Sequence, residues 1–413
     1  MQPTEKIYFT DSSILEFAAK VIAVNPAERG YKVALDRTAF YPTGGGQPND
    51  TGTLSDARVV DVIEDEDGII FHMLNDAEAI SVGQTVTGRI DRARRLDHMQ
   101  QHSGQHILSQ AFVKSCAAET VSFHLGAQTS TIDIELQSPT DDHMRAAEDI
   151  ANGIIFDDRT MRVHLVNEEE ASRLPLRKES ALRGSIRVIE VEDFDWSPCG
   201  GTHAKRTGQI GLIAIRGYER ARKMTRVEFV CGLRALADYR LANKAAVTVA
   251  HLFSAERDST PDLVSRAIQE NKSLKKRVRD LLELAMAAEA SRLLAEATPQ
   301  GEFKIVKAAF SGRDLEEVRL LASKIVQSEP AVALLGTKNA GAARLVFARS
   351  SSLTQNMGQL LSEACQLLGG RGGGKPELAQ GGGPATEKLD EAISIAAERV
   401  EDGGKRPIMS DEL

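Results

Sequence analysis

A chain of 413 residues is too long for one compact core and predicts two or three domains. Hydrophobic residues at 42% and charged residues at 27% exclude a fibrous or disordered chain. A net charge of −8 argues only weakly against a nucleic-acid partner, because net charge hides local patches. No apolar run approaches membrane-spanning length and the N-terminus lacks a signal-peptide core, so no membrane partner and a cytoplasmic address are expected. Cys116, Cys199, Cys231 and Cys365 are too scattered for a disulfide framework.

Residues 1–90 read as short strand runs at 17–24, 31–35, 58–63 and 68–72 separated by turn residues, which predicts a small N-terminal β-barrel. Within it, residues 40–52 form a glycine-rich loop in which Gly44, Gly45 and Gly46 precede Gln47. Three glycines permit positive φ or close approach of a ligand, and local sequence leaves both open. Residues 91–240 read as mixed α/β: helices at 97–114 and 141–156, strands at 129–135, 162–166, 186–190, 210–215 and 226–230. One sheet covered by helices on one side fits this order.

Thr260-Pro-Asp262 predicts a helix start with a threonine cap. Val264, Ala267, Asn271, Leu274, Val278, Leu281, Ala285 and Ala288 then recur in steps of three and four. That seam predicts a helical coiled-coil linker over 241–300, with Asn271 setting register. Its partner is either residues 235–257 as an antiparallel hairpin or a second chain. Residues 301–401 alternate strand (303–309, 331–335, 344–348) and helix (315–328, 357–368), a small C-terminal α/β domain. Residues 402–413 read as a polar tail. The glycine-rich stretch 369–383 nearly matches a phosphate loop through Gly369, Gly374 and Lys375. Pro376 stands where a magnesium-binding hydroxyl belongs, and the element before it reads as helix, so the chemistry is expected to be ATP-independent.

Two clusters carry the chemistry. His102-Ser-Gly-Gln-His106 lies in a helix, where a spacing of four puts both rings on one face. Cys199-Gly-Gly-Thr-His203 follows Pro198 and reads as a tight loop. Three imidazoles and a thiolate suit one zinc ion per chain. The helix lacks the glutamate of a metalloprotease motif, so hydrolysis of an activated ester fits better than peptide hydrolysis. Basic residues cluster beside these motifs: Arg92, Arg94 and Arg95; Lys205 and Arg206; Arg216, Arg220, Arg222, Lys223 and Arg226. A further cluster covers Lys272, Lys275, Lys276, Arg277 and Arg279.

Together the two metal motifs and the Phe-Tyr-Pro-Thr-Gly-Gly-Gly-Gln loop resemble the editing domain of alanyl-tRNA synthetases. They resemble still more the free-standing alanyl-tRNA editing proteins of the AlaX class, in their long form. The stretch 369–383 resembles the C-terminal tRNA-binding and dimerising domain of those synthetases. The resemblance implies an α+β multidomain protein with a zinc-dependent editing domain over 91–240. Its reaction would be trans-editing: deacylation of alanine tRNA mischarged with serine or glycine. His102, His106, Cys199 and His203 take the family's metal positions. Thr120 matches a threonine near the substrate, with Ser122, His124, Gly44, Gly45, Gly46 and Gln47 as further candidate contacts. Arg216, Arg222, Lys223, Arg371 and Lys375 are candidate tRNA contacts, and the coiled coil with the C-terminal domain would support a homodimer. Alternatives are a tRNA-binding module with a structural zinc and no turnover, editing of threonine tRNA carrying serine, and a hydrolase of small esters.

Overall fold

The computed structural model describes residues 2–28, 30–75, 80–177, 184–339 and 341–402; the expected polar tail lies outside them from residue 403 onward. The chain divides into two compact units, Met1–Arg257 and Asp258–Leu413.

The first unit opens with a closed barrel of six strands. Around it run Glu16–Pro26, Tyr31–Leu35, Ile70–Leu74, Ala57–Glu64, Gly52–Leu54 and Thr85–Ile90. Alternation drives it: in Glu16–Pro26, Phe17, Ala19 and Val21 point inward while their neighbours face water. Leu35, Phe40, Leu54, Val62, Ile70 and Leu74 fill the interior. Closure leaves no barrel edge to aggregate. The strands Gly52–Leu54 and Thr85–Ile90 were absent from the sequence expectation.

Helix α1 (Arg92–Cys116) leaves the barrel through an Asp91 cap that accepts from the Ala93 and Arg94 amides, and it starts five residues earlier than predicted. It is buried along most of its length, polar residues included. Helix α2 (Asp141–Phe156), capped by Thr140, packs against it through Met144, Ala147, Ala151 and Ile155 on Ile107, Leu108, Ala111 and Phe112. The single helix-covered sheet expected here is corrected to two antiparallel sheets. One runs Ile213–Ala221, Met224–Cys231, Ser130–Ile134, Thr120–Leu125; the other runs Met161–Val166, Ile186–Val191, Asp195–Pro198. Each takes the hairpin its own sequence closes, at 191–195 and 221–224, so the late strands pair locally instead of extending one sheet. Helix α3 (Glu168–Ser172) carries a capping box between Asn167 and Glu170, and α4 (Gly232–Leu252) follows directly on Cys231.

The second unit starts with α5 (Thr260–Glu296). Its cap position is Ser259 with Pro261 in the first turn, so the expected threonine cap moves by one residue. The seam residues Val264, Leu274, Val278 and Leu281 are exposed, and only Met286, Ala290 and Leu294 are buried. A six-stranded sheet follows in the order Thr298–Gln300, Phe303–Ser311, Ala331–Asn339, Ala342–Arg349, Leu378–Gly383, Arg371–Gly374. Its central strands are buried on both faces. Ala331, Ala333 and Leu335 face α6 (Leu315–Ser328), while Val332 and Leu334 face α7 (Met357–Leu367) and α8 (Leu389–Glu401). The stretch 369–383 is not a phosphate loop but a β-hairpin, with Arg371–Gly374 antiparallel to Leu378–Gly383.

Candidate metal centre

Helix α1 presents His102 and His106 one turn apart, and the loop after Asp195–Pro198 brings Cys199 and His203 to the same point. One ligand atom from each of the four lies within 4.8 Å of the others. The Cys199 Sγ is 3.2 Å from His102 Nε2 and 3.3 Å from His203 Nε2. Tetrahedral zinc, with bonds of about 2.3 Å to sulfur and 2.0 Å to nitrogen, needs a sulfur–nitrogen separation of roughly 3.5 Å. These two sulfur–nitrogen separations therefore fit zinc within a few tenths of an ångström.

Two of the three imidazoles are aimed by a partner on the other nitrogen. His102 Nδ1 lies 2.8 Å from Gln47 Oε1. An amide oxygen only accepts, so Nδ1 carries the proton and Nε2 is left bare for a metal. The same Oε1 accepts from the Thr202 amide, and Gln47 Nε2 donates to Thr202 Oγ1. His203 Nδ1 lies 3.3 Å from Ser103 Oγ, and His106 Nδ1 faces Asp195 Oδ2 at 3.8 Å, too long for a hydrogen bond. Gly201 has no room for a side chain, since a Cβ there would sit 2.1 Å from His102 Cε1.

The buried Arg187 guanidinium donates to the carbonyls of Cys199 and Gly201 at 2.7 and 2.9 Å and to Phe9 O at 2.9 Å, which fixes the ligand loop. Burial alone would raise the Cys199 thiol, but the imidazoles of His102, His203 and His106 outweigh it and hold the thiol well below its ordinary value. Burial lowers His203 to about 3, against the opposing pull of Cys199. Both directions leave a thiolate and a neutral imidazole, the forms that bind metal.

A cavity of about 220 Å³ opens beside the cluster, bordered by His102, His106 and Cys199. Its remaining wall includes Gly45, Gln105, Glu119, Thr120, Phe123 and Arg177. Thr120 Oγ1 donates to Ser109 Oγ at 2.7 Å, and Gln105 Nε2 donates to the same oxygen at 2.8 Å.

Three family models match this chain. Residues 4–94 match tRNA synthetases class II (A), residues 186–228 match the threonyl and alanyl tRNA synthetase second additional domain, and residues 303–402 match the DHHA1 domain. The chain is 29% identical over 404 residues to "Alanyl-tRNA editing protein AlaX-L" of Pyrococcus horikoshii, covering 96% of this chain and 98% of that one. These matches support an AlaX-like alanyl-tRNA editing protein. To the alanine–tRNA ligase of Methanoregula boonei it is 32% identical over 417 residues, 97% of this chain and 44% of that one. The AlaX-like chain thus spans less than half the length of the ligases it matches. The C-Ala domain structure from Aquifex aeolicus alanyl-tRNA synthetase is 28% identical, matching 25% of this chain and 97% of its own. Its TM-score of 0.25 is too low to carry a structural likeness.

Cys199 and His203 of this AlaX-like chain fall inside the second additional domain match, whereas His102 and His106 lie between the matched segments. Among the other residues singled out by sequence, Thr120 and Gly45 line the cavity. Ser122 and His124 do not. A β-bulge at the Asp133–Ile134 step shifts the alternation, so Thr120 and Phe123 share the cavity side. Ser122 instead donates to Asp133, and His124 is exposed. Gly44 and Gly46 shape the loop: Tyr41 Oη donates to Gly44 O, and a Cβ at Gly46 would lie 2.9 Å from Phe123 O. Gln47 is buried and pairs with His102 of the candidate metal cluster.

Arg216 is tied to Glu228 and Asp238. Arg222 and Lys223 stand exposed at a hairpin turn of the first unit, and Arg371 and Lys375 are exposed on the glycine hairpin of the second. Arg187, Ser103 and Asp195 escaped the sequence reading. Arg187 sits in an apolar strand run with no motif around it, and the only available signal was a lone cation among Ile186, Val188 and Ile189. No helix of the described residues is long and apolar enough to cross a membrane.

Proposed function

We propose that this chain is a trans-editing hydrolase that removes serine or glycine from alanine tRNA bearing the wrong amino acid, with one zinc ion held by His102, His106, Cys199 and His203. The observation that carries this reading is that three members of the four-donor cluster border an open cavity, whereas a purely structural site has no use for one. The near full-length likeness to a protein named AlaX-L supports the same direction.

When bound, zinc supplies Lewis-acid charge beside an ester carbonyl or a water. The chain's own residues do the rest. Gln47 and Ser103 keep the imidazoles of His102 and His203 aimed, and Arg187 fixes the Cys199 loop. Thr120, anchored on Ser109, offers its remaining lone pairs to the cavity, where a serine hydroxyl pairs with them and an alanine methyl leaves them unpaired. Arg222 and Lys223 in the first unit, and Arg371 and Lys375 in the second, are exposed, and in this reading they contact tRNA phosphates.

The test incubates the purified protein with alanine tRNA charged with serine, glycine or alanine and follows ester loss, with and without a chelator. Seryl and glycyl esters should be lost and alanyl esters spared. Cys199→Ala should lose zinc and turnover together. Zinc binding without ester loss would leave a tRNA-binding module with a structural metal. Turnover confined to threonine tRNA carrying serine would reassign the substrate.

A further inference from the structure

We infer that Glu119 receives the α-ammonium group of the aminoacyl ester, so that the cavity accepts esters with a free amine and rejects N-acylated ones. This rests on the aminoacyl-ester reading above and adds a determinant that neither the metal cluster nor Thr120 supplies.

The charges around the cavity single this residue out. Arg177 is already neutralised: its guanidinium donates to Asp195 at 3.1 Å and to Ser197 at 2.8 Å. The Cys199 sulfur is ringed by imidazoles. Glu119 lines the same cavity and, among the described residues, its carboxylate has no ion pair and no hydrogen bond. Its backbone is nonetheless fixed, because the Glu135 amide donates to Glu119 O at 2.8 Å at the head of the strand Thr120–Leu125. It is therefore an exposed carboxylate on a fixed stretch of backbone at the wall of the cavity, chemically suited to a cationic group of the ester.

In an aminoacyl ester the amine is attached to the carbon next to the reacting carbonyl. A group that grips the ammonium thus also fixes which way the carbonyl faces. Serine, glycine and alanine share this amine, so Glu119 does not choose between side chains; the neighbouring hydroxyl of Thr120 separates serine from alanine. Acylating the amine removes the positive charge and adds bulk. Peptidyl esters of the same tRNA then lose the contact and leave the carboxylate facing an uncharged amide. The site would spare chains under synthesis while clearing single misplaced residues.

The test uses the full-length zinc-loaded protein and two stable amide analogues: 3′-serylamino-3′-deoxyadenosine with a free or an acetylated amine. Binding is followed by calorimetry. The parent should bind the free-amine analogue roughly 10- to 100-fold more tightly, the worth of one charge-assisted hydrogen bond. Glu119→Gln should erase that preference to within about twofold while leaving acetylated binding and zinc content unchanged, and Glu119→Asp should restore part of it. Turnover of seryl and N-acetylseryl alanine tRNA should show the same loss of discrimination. If Glu119→Gln weakens both analogues alike, or alters neither, the inference falls. It falls equally if the variant slows both esters to the same extent with binding unchanged, since that pattern belongs to a base acting on water. A parent that hydrolyses neither ester would instead overturn the editing reaction, and the binding preference would still decide the role of Glu119.

Discussion

Gln47 joins three segments that are far apart in the chain. Through one amide it orients His102 from α1, pairs both polar groups of Thr202 in the ligand loop, and belongs itself to the glycine loop of the barrel. Gln47 and both its partners, His102 and Thr202, are buried, so truncation strands donors and an acceptor away from water. Gln47→Ala should lower zinc affinity about 10- to 100-fold, as loss of an orienting partner does, and lower stability by about 1–3 kcal/mol. A competing chromophoric chelator reads the first and urea unfolding the second; an affinity within twofold of the parent would exclude the role. The four donors themselves were legible in sequence because metal binding restricts residue type and spacing at once. Gln47 was read as a substrate contact, since its partner Thr202 lies 155 residues away and nothing local announces it. The bulge that parts Thr120 from Ser122 was equally invisible, because simple alternation puts both on one face.

At the scale of elements, strong alternation and caps were read well: α6 over Leu315–Ser328 and α2 over Asp141–Phe156 match their predicted spans. Two elements defeated the pattern. In α1 the buried surface is largely polar, and several of its polar groups find partners far away in the chain: Gln101, for example, exchanges hydrogen bonds with the Cys231 backbone. The glycine hairpin failed for the opposite reason, since strands without side chains carry no period. Its glycines exist for close approach. A Cβ at Gly381 would lie 2.4 Å from Gly372 Cα and 2.7 Å from Cys365 Sγ on α7, whereas one at Gly373 meets nothing within 4 Å. Gly381→Ala should therefore destabilise the second unit by about 1–3 kcal/mol through overpacking. Gly373→Ala should be neutral or gain a few tenths, about 0.4–1 kcal/mol at most, through a stiffer unfolded chain. Urea midpoints compare the pair, and equal shifts would mean that contact with α7 is not what selects glycine.

At the scale of the molecule, the sequence punctuates the chain near residue 90, while contacts gather everything from Met1 to Arg257 into one unit. The reason lies in the first turns of α1, where Arg95 is buried against the barrel, ion-paired with Asp50 and donating to the carbonyls of Ser12 and Ala39. No periodicity reveals an arginine used that way. One consequence is that all four residues of the candidate metal cluster, and Gln47, Ser103 and Asp195 beside them, precede residue 257. A chain ended after Arg257 should fold and keep its zinc. It would lose the exposed cations Arg371 and Lys375 and those of α5, Lys272, Lys275, Lys276, Arg277 and Arg279. If these meet tRNA phosphates, affinity for alanine tRNA should drop and its dependence on salt should become shallower, by nearly one unit of log–log slope for each phosphate contact removed. Binding measured for both forms across a salt series decides it. An unchanged affinity and slope would exclude the second unit from RNA binding and leave the apolar seam of α5, exposed at Leu274, Val278 and Leu281, as its reason to exist. The solution mass of the two forms then separates the outcomes, because a seam that joins two copies makes only the full chain a dimer.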